Sequence, residues 1–186
     1  MRTLGFGPVL AAIVVLGSGP MQAAVQYPLA LILDAQLKSG VTTITSKVTV
    51  RVERPMDDSR RTRSSDALKF SGYSNFVNTL RPFPSLGSIE TQSGKVDIRY
   101  SREDQEGTFS RLVLIADRPL FFLNKDPGKS RAGYELTVME LRIDGKGAVS
   151  GQMAGAARVR PAPEGQVLLD TYSEELVQLK GQVGTP

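Results

Sequence analysis

The stretch VTTITSKVTVRVER, residues 41–54, decides the fold class of this protein. The apolar side chains of one face lie an even number of positions apart: Ile44, Val48, Val50 and Val52. Successive side chains of a β-strand point to opposite faces, so this alternation predicts a long strand with one buried and one wet face. Residues 29–38 also have a strand-like pattern, and Ser39-Gly40 is a tight connection, so the two segments predict a β-hairpin.

Strand-like patterns resume in the second half of the chain. Six further segments alternate or form short apolar runs bounded by turn residues: 95–102, 108–117, 134–143, 148–160, 166–172 and 175–180. The predicted fold class is therefore mainly β (α+β), with an antiparallel meander of about eight strands. A meander with this much twist and bulging either becomes barrel-like or stays a strongly curved open sheet with a helix over one face.

One helical insertion, at about 57–80, is predicted to interrupt the strands. Pro55 ends the preceding strand, and a carboxylate at Asp57 or Asp58 can cap a helix by accepting from its free N–H groups. Gly72 divides the insertion. Four apolar residues after it have helical spacing and form one stripe: Tyr73, Phe76, Val77 and Leu80.

The register of one hairpin can be predicted in detail. The loop Gly145-Lys146-Gly147 suits a three-residue connection with glycine in the left-handed region. It pairs Ile143 with Val149, Leu141 with Gly151 and Met139 with Met153. The apolar residues 134, 136 and 138 have the opposite phase to 139, 141 and 143. We therefore predict a β-bulge in which Val138 and Met139 together oppose Met153.

The composition excludes several chemistries. The chain has 186 residues, a net charge of +4, and neither His nor Cys. Serine or cysteine sites that use a histidine base are excluded, and zinc, haem and thiol redox chemistry are not expected. No catalytic motif, phosphate-binding loop or cofactor signature occurs, so enzyme activity is not predicted and no cofactor is expected. The mild charge and the absence of Trp argue against nucleic-acid binding.

The first 24 residues have the parts of a secretory signal peptide. Arg2 precedes the apolar run Val9–Leu16, which is followed by Gly, Ser and Pro. We expect cleavage after Ala23 or Ala24, which leaves one β-rich domain at 25–186 in the periplasm or secreted. The alternative is a buried N-terminal helix or an uncleaved anchor. The run is too short for an ordinary membrane span, and no integral span is expected in the mature chain.

Two groups of residues are candidates for binding. Around the long connection 120–134, the rim candidates are Arg118, Phe121, Phe122 and Glu135. Arg118 is predicted to pair with Glu135 as a latch for this connection. In the insertion, the candidates for an anionic partner are Arg60, Arg61, Arg63 and Lys69. Their alternative role is a solvated helix face. No metal ligands are predicted.

A pair of carboxylates is the remaining route to catalysis. The candidates are Asp97, Asp117, Glu135, Glu140 and Asp170. Each lies in a predicted strand near a basic residue, so cross-strand pairing is the expected role. If Asp117 lies opposite Tyr134, Arg111 lies opposite Glu140.

The chain also resembles a known group of proteins. The resemblance rests on four stretches: RVERPMDDSR (51–60), VDIRYSRE (96–103), LVLIADRPLFF (112–122) and YELTVMELRIDGKG (134–147). In that order they are similar to uncharacterised exported bacterial β-rich proteins with no assigned activity. The resemblance implies export and a β-rich fold, and it carries over no catalytic residue.

Three functions remain from the sequence. The first is an exported, non-enzymatic binding or accessory protein that holds an apolar small molecule or lipid in a barrel-like cavity. The second is a protein–protein interaction or structural module of the cell envelope. The third is a carboxylate-dependent hydrolase.

Overall fold

Strands make up most of the structure. A computed structural model describes residues 25–39, 41–121, 133–163, 167–172 and 176–184. The strands are β1 (Leu29–Ser39), β2 (Thr42–Val52), β3 (Gly87–Thr91), β4 (Gly94–Glu106), β5 (Phe109–Ala116), β6 (Leu136–Asp144), β7 (Ala148–Pro161), β8 (Val167–Tyr172) and β9 (Leu176–Gly184). The helices are α1 (Asp58–Ser71) and α2 (Tyr73–Leu80). The predicted mainly β class with one helical insertion is confirmed.

Eight of these strands close into an antiparallel barrel. The pairing order is β6-β5-β4-β3-β2-β1-β9-β7, and β7 also pairs with β6, which closes the ring. Strands β1 to β7 follow one another as a meander, and β9 closes the ring by lying between β7 and β1. Strand β8 lies outside the ring and pairs with β7. The predicted barrel-like meander is confirmed.

Cross-strand partners identify the inner face of the barrel. Successive partners from β5 to β1 share one face: Leu112, Leu141, Gly151, Leu179 and Ala35. On β1 the residues of this face, Leu31, Leu33 and Ala35, are 0% exposed, whereas Ile32 between them is 60% exposed. The first set therefore points into the barrel, and Ile32 points outward.

The barrel interior is filled by side chains. Residues of the inner face that have no accessible surface include Leu31, Leu33, Val48, Val50, Ile89, Ile98, Leu112, Leu114, Met139, Leu141 and Met153. A water-sized void would leave accessible area on the side chains that line it, so none borders these residues. An eight-stranded barrel is just wide enough for such side chains to fill it.

The helical insertion follows its predicted pattern. Asp57 Oδ1 accepts from the Arg60 N–H at 2.9 Å and caps α1. Gly72, with φ of 82°, separates the two helices. Helix α2 buries Phe76, Val77 and Leu80, as its stripe predicts. In the described ranges, no helix is both long enough and apolar enough to cross a membrane.

Strand β3 and the face of Tyr100 differ from the sequence prediction. Strand β3 was not predicted, because its five residues carry one buried aliphatic side chain, Ile89, and show no clear alternation. A bulge between Ile98 and Tyr100 turns Tyr100 onto the face of its partner Ile115, outside the barrel. The alternation of 95–102 predicts that residues 96, 98 and 100 share one face, and the bulge makes this prediction wrong at Tyr100.

The predicted β6–β7 register is confirmed, but the bulge lies elsewhere. Ile143, Leu141 and Met139 pair with residues 149, 151 and 153, as expected. The register instead shifts between Leu136 and Val138, opposite residues 154–157. The extra residue therefore lies on β7 and not on β6.

Close backbone contacts explain why β7 has glycine at positions 151 and 155. A Cβ on Gly151 would lie 2.1 Å from the Glu140 carbonyl oxygen, and one on Gly155 would lie 2.2 Å from that of Leu120. The Leu120 N–H donates to the Gly155 carbonyl at 2.8 Å. Glycine therefore lets β7 approach β6 and the segment after β5 more closely than any other residue allows.

Candidate functional site

A groove lies on the outer wall of the barrel, under β8. We call it the outer-wall groove, and its volume is about 230 Å³. Its apolar lining comes from β5, β6, β7 and β9 on the wall and from β8 opposite: Val113, Val138, Ala154, Leu176, Val167, Leu168 and Leu169. Its polar lining consists of Arg111, Glu140 and Gln152.

The groove exists because the wall strands are apolar on both faces. On β5, Val113 and Ile115 point outward, and on β6, Leu136 and Val138 do the same. All four are buried, although the barrel interior lies on their other side. Beyond residue 154, β7 pairs with β8 and no longer with β9. Strand β8 then covers this wall, and its Val167 and Leu169 supply the opposite side of the groove.

The polar end of the groove is a balanced ion-pair cluster. Arg111 Nε lies 2.7 Å from Glu140 Oε1 and 3.7 Å from Glu106 Oε1. Arg142 Nη2 lies 3.5 Å from Glu106 Oε2. Two cations and two carboxylates therefore face one another, and this end offers hydrogen-bonding groups without a net charge.

The predicted contact between Arg111 and Glu140 is present, but the register of the two strands differs from the predicted one. Arg111 was expected opposite Glu140, but its direct partner is Arg142, and Val113 lies opposite Glu140. The register therefore differs by two residues. The Arg111 side chain is long enough to reach the diagonal neighbour on the same face.

A second buried cluster continues the outer wall toward the helices. Tyr100 is fully buried, and its ring meets Phe76 of α2 edge-on at 6.2 Å between centroids. Burial raises the pKa of the Tyr100 hydroxyl, so this group stays protonated at neutral pH. Tyr100 packs the helices against the wall beside the groove and has no surface for a ligand.

Among the rim candidates, Glu135 has well-defined contacts. Tyr73 Oη donates to Glu135 Oε2 at 2.8 Å and accepts from the Glu135 N–H at 3.1 Å. The Gly133 N–H donates to Glu135 Oε1 at 2.9 Å. Burial opposes ionisation of Glu135, but hydrogen bonds from Gly133 and Tyr73 outweigh it and lower its pKa. The Arg158 guanidinium lies 5.3 Å from the centre of the Tyr73 ring.

The predicted Arg118–Glu135 latch is wrong. Both residues are described, and no ion pair joins them. The Arg118 side chain is exposed, while its carbonyl accepts from Thr137 Oγ1 at 2.8 Å. Glu135 is held by Tyr73 instead, because α2 brings a hydroxyl to the carboxylate. The contact that holds the end of this connection is therefore between α2 and the residue that precedes β6.

The aromatic rim candidates are only partly described. Phe121 is half-buried, and its carbonyl accepts from the Ser93 hydroxyl. Phe122 and most of the connection 120–134 lie outside the described residues. Arg118, Phe121 and Glu135 are the rim candidates that the structure describes, and none of them lines the outer-wall groove.

The four basic candidates of the insertion do not form one charged face. A helix turns about 100° per residue, so positions 60, 61, 63 and 69 point in four directions. Arg60 pairs with Asp57 at 3.2 Å, and Arg61 pairs with Asp58. Arg63 and Lys69 are exposed, and the Lys69 ammonium lies 5.0 Å from the Phe70 ring. The contacts of Arg60 and Arg61 stabilise the start of α1.

The candidate carboxylates all have hydrogen-bonding or charged neighbours where their side chains are described. Asp97 and Asp117 lie 3.0 and 3.7 Å from Arg99, Glu140 pairs with Arg111, and Glu135 binds Tyr73. The Asp170 side chain lies outside the described part of the chain. Across the described ranges, no cluster of three or more Asp, Glu, His or Cys residues has the spacing of a metal site.

Comparisons of the chain with protein-family models, with curated proteins and with solved structures find no match. Its class therefore rests on the fold alone. It is a closed eight-stranded antiparallel barrel with a ninth strand laid over part of the outer wall.

Sequence reasoning missed the apolar residues of the groove, and it predicted Arg111 and Glu140 only as a structural pair. The sequence contained a signal for the groove, because segments 112–115 and 136–139 carry apolar side chains on both faces of their strands. In a barrel, such a strand needs a cover on its outer side. The position of that cover depends on how β8 folds back, which no local pattern encodes.

Proposed function

We propose that this protein is an exported, non-enzymatic binding protein that holds a small amphipathic molecule in the outer-wall groove. The observation that supports the proposal is the groove itself, in which apolar side chains of β5, β6, β7 and β9 face those of β8. Apolar recesses with a few convergent polar groups are the usual sites for small ligands. The leader-like pattern at 1–24 supports export.

The proposed site lies on the outer wall and not in the barrel interior. The central interior positions, such as Leu33, Val50 and Leu114, have no accessible surface, so a ligand there would have to displace several buried side chains. Cores are packed to the density of organic crystals, and such displacement is costly. The outer-wall groove already provides space between side chains that do not touch across it.

The lining defines the chemistry of the occupant. The wall and the cover accept an apolar body, while Arg111, Glu140 and Gln152 can hydrogen-bond a polar end. Because Arg111 is already matched by carboxylates, a neutral or zwitterionic end fits better than an anion. The volume of about 230 Å³ lies just below the ~300–1,000 Å³ range of ligand pockets, which limits the occupant to a small molecule.

Titration with the neutral fluorescent probe N-phenyl-1-naphthylamine tests the proposal. We expect saturable binding to the native protein. Ala154→Trp and Leu176→Trp, which place an indole in the groove from two different strands, should each weaken binding by about tenfold, a cost of about 1.4 kcal/mol. The matched control is Ile32→Trp, on the exposed outer face of β1.

Each variant is first checked for a cooperative unfolding transition, so that only folded proteins are compared. Binding that is absent in the native protein contradicts the proposal. Binding that is equal in the two groove variants and the control contradicts it as well.

A further inference from the structure

One carboxylate ties the start of the described chain to β4. The Val25 backbone nitrogen lies 3.1 Å from Glu103 Oε1, and Tyr27 Oη lies 3.5 Å from Glu103 Oε2. Gln105 Nε2 is 3.4 Å from Oε1. Burial, together with the charge of Glu103, raises the pKa of Tyr27 to about 12, so the phenol stays neutral. Glu103 therefore has three uncharged donors as partners.

No cation compensates this carboxylate among the described residues. The two arginines that line the recess beside Glu103 pair with other carboxylates, because Arg102 Nε lies 2.8 Å from Asp104 Oδ2 and Arg61 pairs with Asp58. The other charged groups around the recess beside Glu103 are Asp66 of α1 and Asp104 of β4, and both are acidic. A half-buried carboxylate in this setting gains most from a positive partner.

We propose that Glu103 is the receptor for the amino terminus produced when the leader is removed after Ala24. Val25 then becomes the first residue, and its ammonium group replaces the amide that lies 3.1 Å from Glu103. The inference rests on the export in the proposed function, but not on the ligand of the groove. It also selects one of the two cleavage positions that the sequence leaves open.

The geometry distinguishes the two positions. Cleavage after Ala24 puts the positive charge on the atom that already contacts Glu103. Cleavage after Ala23 would put that charge on Ala24, one residue before Val25, and leave a neutral amide at Val25. Removal of the leader therefore creates the missing cation and anchors the segment in front of β1.

The first test compares two purified chains. One begins at Val25, after removal of a cleavable fusion, and the other keeps residues 22–24. In the chain that begins at Val25, Glu103→Gln should lower the unfolding temperature by about 3 °C more than in the longer chain, because it removes a charged hydrogen bond there and a neutral one in the longer chain. The control Glu90→Gln, at an exposed carboxylate of β3, should shift both chains equally.

An equal effect of Glu103→Gln in both chains would overturn the proposal. The two unmodified chains give a second readout that does not depend on a variant. The chain that begins at Val25 should unfold about 3 °C above the longer chain. Equal unfolding temperatures of the two chains would also overturn the proposal.

The second test uses the full chain expressed in a bacterial host that exports proteins. The intact mass of the exported product should correspond to a start at Val25, and any other start overturns the chosen position. A failure of probe binding in the groove leaves both readouts unchanged. A wrong amino terminus, in turn, leaves the groove proposal standing.

Discussion

At the residue scale, the contact between Tyr73 and Glu135 replaces the ion pair that the sequence predicted. Both neighbours of the carboxylate are hydrogen-bond donors, Tyr73 Oη at 2.8 Å and the Gly133 N–H at 2.9 Å. Burial raises the pKa of Tyr73, and its bond to Glu135 raises it further, so the phenol remains a donor. The pair joins α2 to the start of β6.

The hydroxyl of Tyr73 should contribute measurably to stability. Tyr73→Phe removes a donor to a charged acceptor, and we expect the free energy of unfolding at neutral pH to fall by about 1.5 kcal/mol. Chemical denaturation measures this difference. The matched control is Tyr134→Phe, next to Glu135 in the chain, which should change stability by less than about 0.5 kcal/mol. Equal losses in the two variants would contradict the assigned contact.

The same contact predicts a pH dependence. The folded-state pKa of Glu135 is lowered from its ordinary value of 4.5, so its ionised form is favoured by folding. The stabilisation is therefore present above that value and is lost as the pH falls through the lowered folded-state pKa. The stability difference between the native protein and Tyr73→Phe should shrink in this acid range. A difference that grows there would contradict the sign.

At the element scale, the sequence pattern predicted strands correctly where one face of the strand is exposed to water. The alternation of 41–54 became β2, and the loop at 145–147 fixed the β6–β7 register correctly. Segment 134–143 has apolar side chains on both faces of the strand. The sequence prediction explained this pattern by a bulge at Val138 and Met139, which is wrong. The physical reason is that β8 covers the outer wall, so Val138 and Met139 are both buried on opposite faces. A local pattern cannot distinguish these two causes.

Strand β1 allows the inner and outer faces to be compared at neighbouring positions. Leu33→Ala removes a fully buried side chain from the filled interior and should lower the free energy of unfolding by about 3 kcal/mol. Ile32→Ala, at a position 60% exposed on the outer face, should cost no more than about 0.5 kcal/mol. Similar costs for the two variants, measured by denaturant unfolding, would show that the assigned faces are wrong.

At the scale of the whole molecule, the fold separates stability from the proposed binding. The barrel interior is filled and holds the strands together, while the space between β8 and the wall remains open. The sequence predicted a barrel-like meander and an apolar site, and it pointed to the interior and the rim. The groove could not be located in advance, because it forms only when β7 passes its last β9 partner and β8 turns back over the wall.

The most direct test of the central claim is a methyl NMR titration of the native protein with N-phenyl-1-naphthylamine. The account predicts saturable shifts of groove methyl groups, at Val138, Leu169 and Leu176, and unchanged interior methyl groups at Leu33 and Val50. Shifts centred on the interior, or no shifts in the groove, would contradict it.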